Sequence, residues 1–391
     1  MTRPRRILFV DHTAVLGGAE LSLLDLATSL RAECAVALFE DGPLAAALVT
    51  EGVALLPVAA PDALNAVKKG SARPTLAAMV ATAAAAVSLA RIARPFDVLH
   101  ANSLKSFLVS AGAGVLARRP VIWHLRDILD RGHFSAANIR VLVFTANSLA
   151  ARVVANSRAT ADAFIAAGGR ADLVRVVHNG IDGAPYGSRA PDVIQALRAS
   201  LGLPGDAFVV GSFSRLNPWK GQHILLDALE HLPDVHAIIA GGALFSGESA
   251  YERDLRIRAS QPPLAGRVHI LGARHDVPTL IAACDVVAHT SVLPEPFGRV
   301  LVEALLSKRP LIASDAGGVR EIVRDGVTAF LVPPGDARRL ASAVQQVRDD
   351  PARAAAMALA GRDEMRHRFT RDAMVAGVRA VVDDVVRGPA G

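Results

Sequence analysis

Cysteine is nearly absent. Two residues of 391, Cys34 and Cys284, stand in different halves of the chain. Two such residues give neither a disulfide framework nor a thiolate metal set, which fits a reducing cytoplasm. Aromatic side chains make up only 4% of the chain, and no basic stripe interleaved with them occurs, so no nucleic-acid partner is expected. No D-x-D triplet is present, and lysine is scarce beside arginine, which we read as a GC-rich coding bias. There is also no long hydrophobic run. Thr75–Ala90, the most alanine-rich stretch, reads as too short and too weakly apolar to span a bilayer, and Arg91 closes it. Met1-Thr2-Arg3-Pro4-Arg5-Arg6 leads into a short strand and not into a signal-peptide core.

What is present is globular: 51% hydrophobic and 20% charged residues. The length exceeds one ordinary core, so two domains are expected. A net charge of +6 suits phosphorylated ligands or an anionic membrane surface.

Apolar strands alternate with helix-like segments throughout. In the first half the strands are Arg6–Val10, Cys34–Phe39, Ala54–Val58, Asp97–Ala101, Val121–His124, Val153–Ala155 and Val174–Val177. In the second they are Phe208–Phe213, His236–Ala240, Val268–Leu271, Asp285–His289, Leu311–Ala313 and Ala329–Val332. Such alternation predicts parallel sheets covered on both faces, with ligands beyond the carboxyl ends of the strands. His12, Asn102, Ser103 and His124, followed by Arg126 and Asp127, stand at those ends in the first half. A histidine there is either a ligand-facing group or a satisfied structural one. Gly17-Gly18, between the first strand and a helix, reads as a phosphate-binding turn or simply a tight turn. Glu40 stands where a dinucleotide fold would place its ribose acid, but G-x-G-x-x-G is missing.

In the second half Arg215 and Lys220 follow the opening strand, just before a helix start. Two cations there are poor for the helix dipole and make sense beside an anion. The stretch around which the chain is organised is Pro294-Glu295-Pro296-Phe297-Gly298-Arg299, running on to Glu303. The prolines forbid a helix before Gly298, and an apolar helix follows. A helix start seats an anion, and two carboxylates suit sugar hydroxyls. The alternative is that Glu295 caps the helix and Glu303 lies on a solvated face. Against it, Glu303 interrupts an apolar run, and buried carboxylates need partners.

These residues resemble glycosyltransferase family 4. The E-x7-E pattern appears as Glu295–Glu303, with Gly211-Ser212-Phe213-Ser214-Arg215, Lys220-Gly221, Leu16-Gly17-Gly18-Ala19-Glu20, His178-Asn179-Gly180 and Asp315-Ala316-Gly317-Gly318 in support. The resemblance implies the GT-B architecture: two Rossmann-like α/β domains with parallel sheets, facing an interdomain cleft. Residues 1–185 would take the acceptor and 186–368 the donor, with the helix in 369–391 packed back on the first domain. It implies a retaining, metal-independent transferase in the cytoplasm that moves a sugar from a nucleoside diphosphate, UDP ahead of GDP, to an acceptor hydroxyl. No cofactor is implied.

On matching positions Arg215 and Lys220 would bind the diphosphate. Amides near Phe297, Gly298 and Arg299 would contact sugar and phosphates. Glu295 would accept from sugar hydroxyls, Glu303 from the ribose, and Leu271 would lie beside the base. Gly17 and Gly18 would close over the diphosphate, and His124 would sit near the transferred sugar. Glu295 is also a candidate nucleophile, although the resemblance favours same-face substitution in which the leaving phosphate helps take the acceptor proton. A non-catalytic sugar-nucleotide binder, an epimerase or a phosphorylase are the alternatives. Many relatives act on lipid-linked acceptors, and Lys68, Lys69 and Arg73 are candidates for a peripheral membrane face. The acceptor itself is not legible.

Overall fold

Runs of buried β-branched and aliphatic residues build two parallel sheets in the computed structural model, which describes residues 5–59, 76–244 and 247–387. The chain divides into one unit of Met1–Gly180 with Arg371–Gly391 and a second of Ile181–Thr370. The basic segment containing Lys68, Lys69 and Arg73, and the start Met1–Pro4, lie outside the described residues.

The first unit has seven strands: β1 (Ile7–Asp11), β2 (Cys34–Leu38), β3 (Ala54–Pro57), β4 (Val98–Ala101), β5 (Val121–Leu125), β6 (Arg152–Ala155) and β7 (Val174–Val176). They lie in the order β3-β2-β1-β4-β5-β6-β7, all parallel. The helices between them are α1 (Gly18–Ser29), α2 (Pro43–Thr50), α3 (Leu76–Ala93), α4 (Leu104–Ala117), α5 (Ala136–Leu149) and α6 (Arg158–Ala166). Strand alternation sorts β1 between two cores. Leu8 and Val10 pack in a layer with Ala85 of α3, Phe107 of α4 and Leu142 of α5, while Ile7 and Phe9 pack in one with Leu23 of α1 and Leu44 of α2. Phe107 stacks on Trp123 with ring centroids 4.4 Å apart.

The second unit has β8 (Phe208–Phe213), β9 (Val235–Ala240), β10 (Val268–Gly272), β11 (Val286–His289), β12 (Leu311–Ser314) and β13 (Phe330–Val332), ordered β10-β9-β8-β11-β12-β13. Its helices are α7 (Pro191–Ser200), α8 (Gln222–Leu229), α9 (Ser249–Ala259), α10 (Val277–Ala282), α11 (Arg299–Leu306), α12 (Val319–Ile322), α13 (Ala337–Asp349) and α14 (Pro351–Arg368). Arg371–Arg387 forms α15, which belongs to the first unit. There Met374, Val375, Val378, Val381 and Val382 join the core of Ile7 and Phe9. Arg152 of β6 holds Asp384 at 2.7 Å, and Arg379 pairs with Glu33.

Helices α9 and α10 were not expected from the sequence. α9 is charged along most of its length and buries only Leu255 and Ala259, so it carries no apolar stripe. α10 is less than two turns long and carries a proline, Pro278, at its second position. The expectation for Thr75–Ala90 is also corrected. α3 runs 18 residues with a mean hydropathy of 1.8, long and apolar enough to cross a membrane by length and composition. Its Ala78, Ala81, Ala85, Ala86, Leu89, Ala90 and Ala93 are nevertheless buried at helical spacing, the pattern of a core helix.

Both sheets reverse their strand order once, between β1 and β4 and between β8 and β11. At such a reversal the loops leaving the two strands diverge and open a crevice at the carboxyl edge, where ligands of this fold class bind.

Candidate active site

In the second unit the reversal collects residues from two loops. Leaving β8, the chain passes Arg215 and makes a 3-10 turn at Pro218–Lys220, with Asn217 accepting from the amide of Trp219 at 3.1 Å. Gly221 then turns back with φ +70, and a Cβ there would run into the carbonyl oxygen of Thr290. Leaving β11, the chain passes His289, Ser291 and Glu295. Lys220 Nζ donates to Glu295 Oε2 at 2.7 Å, Ser291 Oγ at 2.8 Å, and His289 Nε2 lies 2.9 Å from the same oxygen.

Glu295 is only 5% exposed. Burial alone would push its carboxyl pKa up, but the Lys220 ammonium and His289 hold it far below the usual carboxylate range. Burial pulls Lys220 down from the usual lysine value, against the opposing pull of Glu295. The ammonium also lies 4.0 Å from the ring centre of Trp219. Arg215 Nε is 3.4 Å from Glu248 Oε1, which accepts from Asn217 Nδ2 at 2.7 Å, and Oε2 takes the amide of Leu244. Each of the two cations thus has a buried carboxylate beside it.

The backbone of Glu295 is clamped as well. Its carbonyl accepts from the amide of Gly318 at 2.7 Å, and Gly317, at φ +66, lies so close that a Cβ would strike the Glu295 main chain. Gly298 caps α11 in the left-handed conformation, and everything in that helix from Val300 to Leu306 is buried. Glu303 is inside, not on a solvated face, with Arg299 Nε 3.5 Å away. The Phe297 ring packs edge-on against Phe369, so only its main chain could meet a ligand. Leu271, near the end of β10, shares this edge, because the amide of Gly241 donates to the carbonyl of Gly272.

In the first unit the carboxyl edge holds a buried polar chain. Asp11, wholly buried, accepts from Asn102 Nδ2 at 2.6 Å. Asn102 Oδ1 takes Arg126 Nε at 2.6 Å, and Arg126 Nη1 reaches Asn179 at 2.8 Å. His124 is not at the rim. β5 continues to Leu125, and the His124 ring is fully buried, with Nδ1 3.0 Å from His100 Nε2 and 3.4 Å from Arg126. Burial, Arg126 and His100 keep it neutral well below the usual histidine value, and burial pulls His100 down to about 3. Gly17 caps α1, its amide donating to Glu20 at 3.1 Å. Glu40 accepts from Thr13 Oγ1 at 2.6 Å and from the amide of Ala14 at 3.0 Å, so it braces the loop before Gly17.

Known proteins fit this arrangement. Residues 16–184 match the family model described as Glycosyltransferase Family 4, and residues 193–364 the one described as Glycosyl transferases group 1. HepE of Anabaena, solved with UDP-glucose, is 40% identical over 97% of this chain and 99% of its own, with a TM-score of 0.88. The chain belongs to glycosyltransferase family 4. Its two parallel-sheet α/β units have the GT-B architecture. Sucrose-phosphate synthase of Thermosynechococcus elongatus, 19% identical over 97% of this chain and 98% of its own with a TM-score of 0.80, shares the fold. The D-inositol 3-phosphate glycosyltransferase of Mycobacterium tuberculosis is 36% identical over 176 residues, 44% of this chain; the match spans only 36% of that relative.

In this family 4 chain the structure brings Lys220 and Glu295 into contact and places Gly298, Arg299 and Glu303 on the helix that follows. The sequence reading overlooked Glu248, His289 and Ser291. Glu248 had no pattern around it, but His289 and Ser291 flank the strand end that leads to Glu295 and were open to notice.

Proposed function

We propose that this chain transfers a sugar, with retention and without a metal ion, from a UDP-sugar to an acceptor hydroxyl. The carrying observation is the buried Lys220–Glu295–His289–Ser291 cluster at the β8/β11 reversal, in a chain 40% identical along its length to a protein solved with UDP-glucose. In this reading an ammonium with three N–H donors gives one to Glu295 and two to diphosphate oxygens. Arg215 and the amides at the start of α11 add positive potential to the leaving group as its charge grows, the largest contribution a site of this kind makes to the rate. Glu295 uses Oε2 for its protein partners, leaving Oε1 for sugar hydroxyls. Glu303 takes the ribose, and Leu271 lies beside the base. His124, buried and neutral, keeps an Nε2 for which the described residues offer no hydrogen-bond partner. We place the reaction in the cytoplasm, which two free buried cysteines suit.

The test is a screen of UDP- and GDP-sugars against sugar and lipid-linked acceptors in chelator, with product anomers assigned by NMR. Lys220→Ala and Glu303→Ala are each expected to lower kcat/KM at least 100-fold, roughly the loss on removing one transition-state charge contact. Full activity in both variants would remove the assignment.

A further inference from the structure

One carboxylate beside the candidate donor site has no duty in the helix that carries it. Glu248 stands at the N-cap of α9, yet its side chain makes no capping hydrogen bond there. It faces the loop that leaves β8 instead, and is only 4% exposed. Oε1 accepts from Asn217 Nδ2 at 2.7 Å and lies 3.4 Å from Arg215 Nε, and Oε2 accepts from the amide of Leu244 at 2.9 Å. All of these groups belong to the second unit.

The main chain at Arg215 is pinned without Glu248. Gln222, wholly buried, donates from Nε2 to the Arg215 carbonyl at 2.9 Å and to Ser214 Oγ at 2.8 Å, and its Oε1 accepts from the hydroxyl of Tyr251 at 3.2 Å. The next amide, that of Leu216, donates to the carbonyl of Gly242 at 3.0 Å. What Glu248 adds is therefore a hold on the side chain. Contact at Nε fixes the plane of a guanidinium, and the plane is what a two-oxygen grip on a phosphate needs. Asn217 Nδ2, bound to the same carboxylate oxygen, keeps that oxygen in place. A buried negative charge at an edge that takes a diphosphate also repels the ligand. Removing the charge alone would tighten anion binding, whereas loosening Arg215 would weaken it, so the two roles differ in sign.

We infer that Glu248 is a positioning residue for the donor: it orients the Arg215 guanidinium for a nucleoside diphosphate, and Asn217 supports it. The inference rests on the transferase reading, in that Arg215 meets the diphosphate. It gives the mostly charged helix α9 a part in donor binding, since Glu248 and Tyr251, at its N-terminal end, brace the Arg215 loop by side chain and by main chain respectively.

Calorimetric titration of the full chain with UDP decides this, with thermal melts as the check on folding. Glu248→Gln keeps the size of the side chain and removes its charge, and UDP affinity is expected to fall by about tenfold, within the range that coupled neighbours show. Added to Arg215→Ala, which itself should bind UDP less tightly, the same substitution should cost no more than about threefold further. A merely structural role would lower affinity by the same factor in both backgrounds. Should Glu248→Gln not melt cooperatively, Asn217→Ala, at a half-buried position, stands in for it under the same criteria. Affinity within about twofold of the parent, tighter binding, or an equal loss in both backgrounds overturns the inference. A parent chain that binds no UDP overturns the donor reading and this inference together, and so is told apart from a failure at Glu248 alone.

Discussion

At the scale of the residue, the decisive feature of the second unit is that Glu295 stays ionised in a place where a carboxylate has little water. Its stability contribution follows from the sign of that effect. A carboxyl held low in the folded chain adds stability that is present above the ordinary carboxylate range and fades as pH falls through and below it. Removing its counter-charge should therefore be costly near neutrality. Lys220→Met is expected to destabilise the second unit by about 3 kcal/mol at pH 7, the cost of leaving a buried charge unpaired. The loss should shrink at pH 4, and Glu295→Gln added to Lys220→Met should recover part of it at pH 7. Urea unfolding of the parent and the two variants at both pH values checks this, and an equal loss at both would disprove the pairing. Sequence alone could name Lys220 and Glu295 but could not join them, because the two are 75 residues apart and each made equal sense facing a ligand. His124 shows the same limit. Its type and strand position were legible, but one more residue of strand drew the ring inside.

At the scale of the element, the E-x7-E loop is held by main chain more than by side chains. Gly317 lets the β12 loop lie against Glu295 with a left-handed backbone, and any side chain there would both strain φ and collide. Gly317→Ala should cost about 1–3 kcal/mol and lower transfer activity more than a remote substitution of equal stability cost. Thermal melts paired with kcat/KM measure both, and a variant that melts and turns over like the parent would show that the loop tolerates displacement. Strands were legible here nearly to the residue, because the central ones, such as β1, β5 and β11, are buried on both faces and read as unbroken apolar runs. Helices with an apolar stripe were legible for the same reason. α9 was not, since it lies on the surface and buries only two side chains, so nothing in its residue pattern distinguishes it from a charged loop.

At the scale of the molecule, the first unit takes its last helix from the far end of the chain. α15 buries five apolar side chains in the core that holds Ile7 and Phe9. At roughly 1.5–3 kcal/mol for each fully buried side chain, their loss exceeds much of what a typical domain has to spare. A chain ended at Thr370 is expected to keep a folded second unit and lose the first to protease. Limited proteolysis with mass spectrometry reads this directly, and a protected 5–180 fragment in the shortened chain would refute it.

The same helix imposes an order on biosynthesis. By the time α15 leaves the ribosome, the whole of residues 181–370 has already emerged, so the N-terminal sheet must wait, one layer uncovered, through the translation of its neighbour. At about 5–20 residues per second that interval is on the order of ten seconds or more, long enough for chaperones to decide how much of the chain matures.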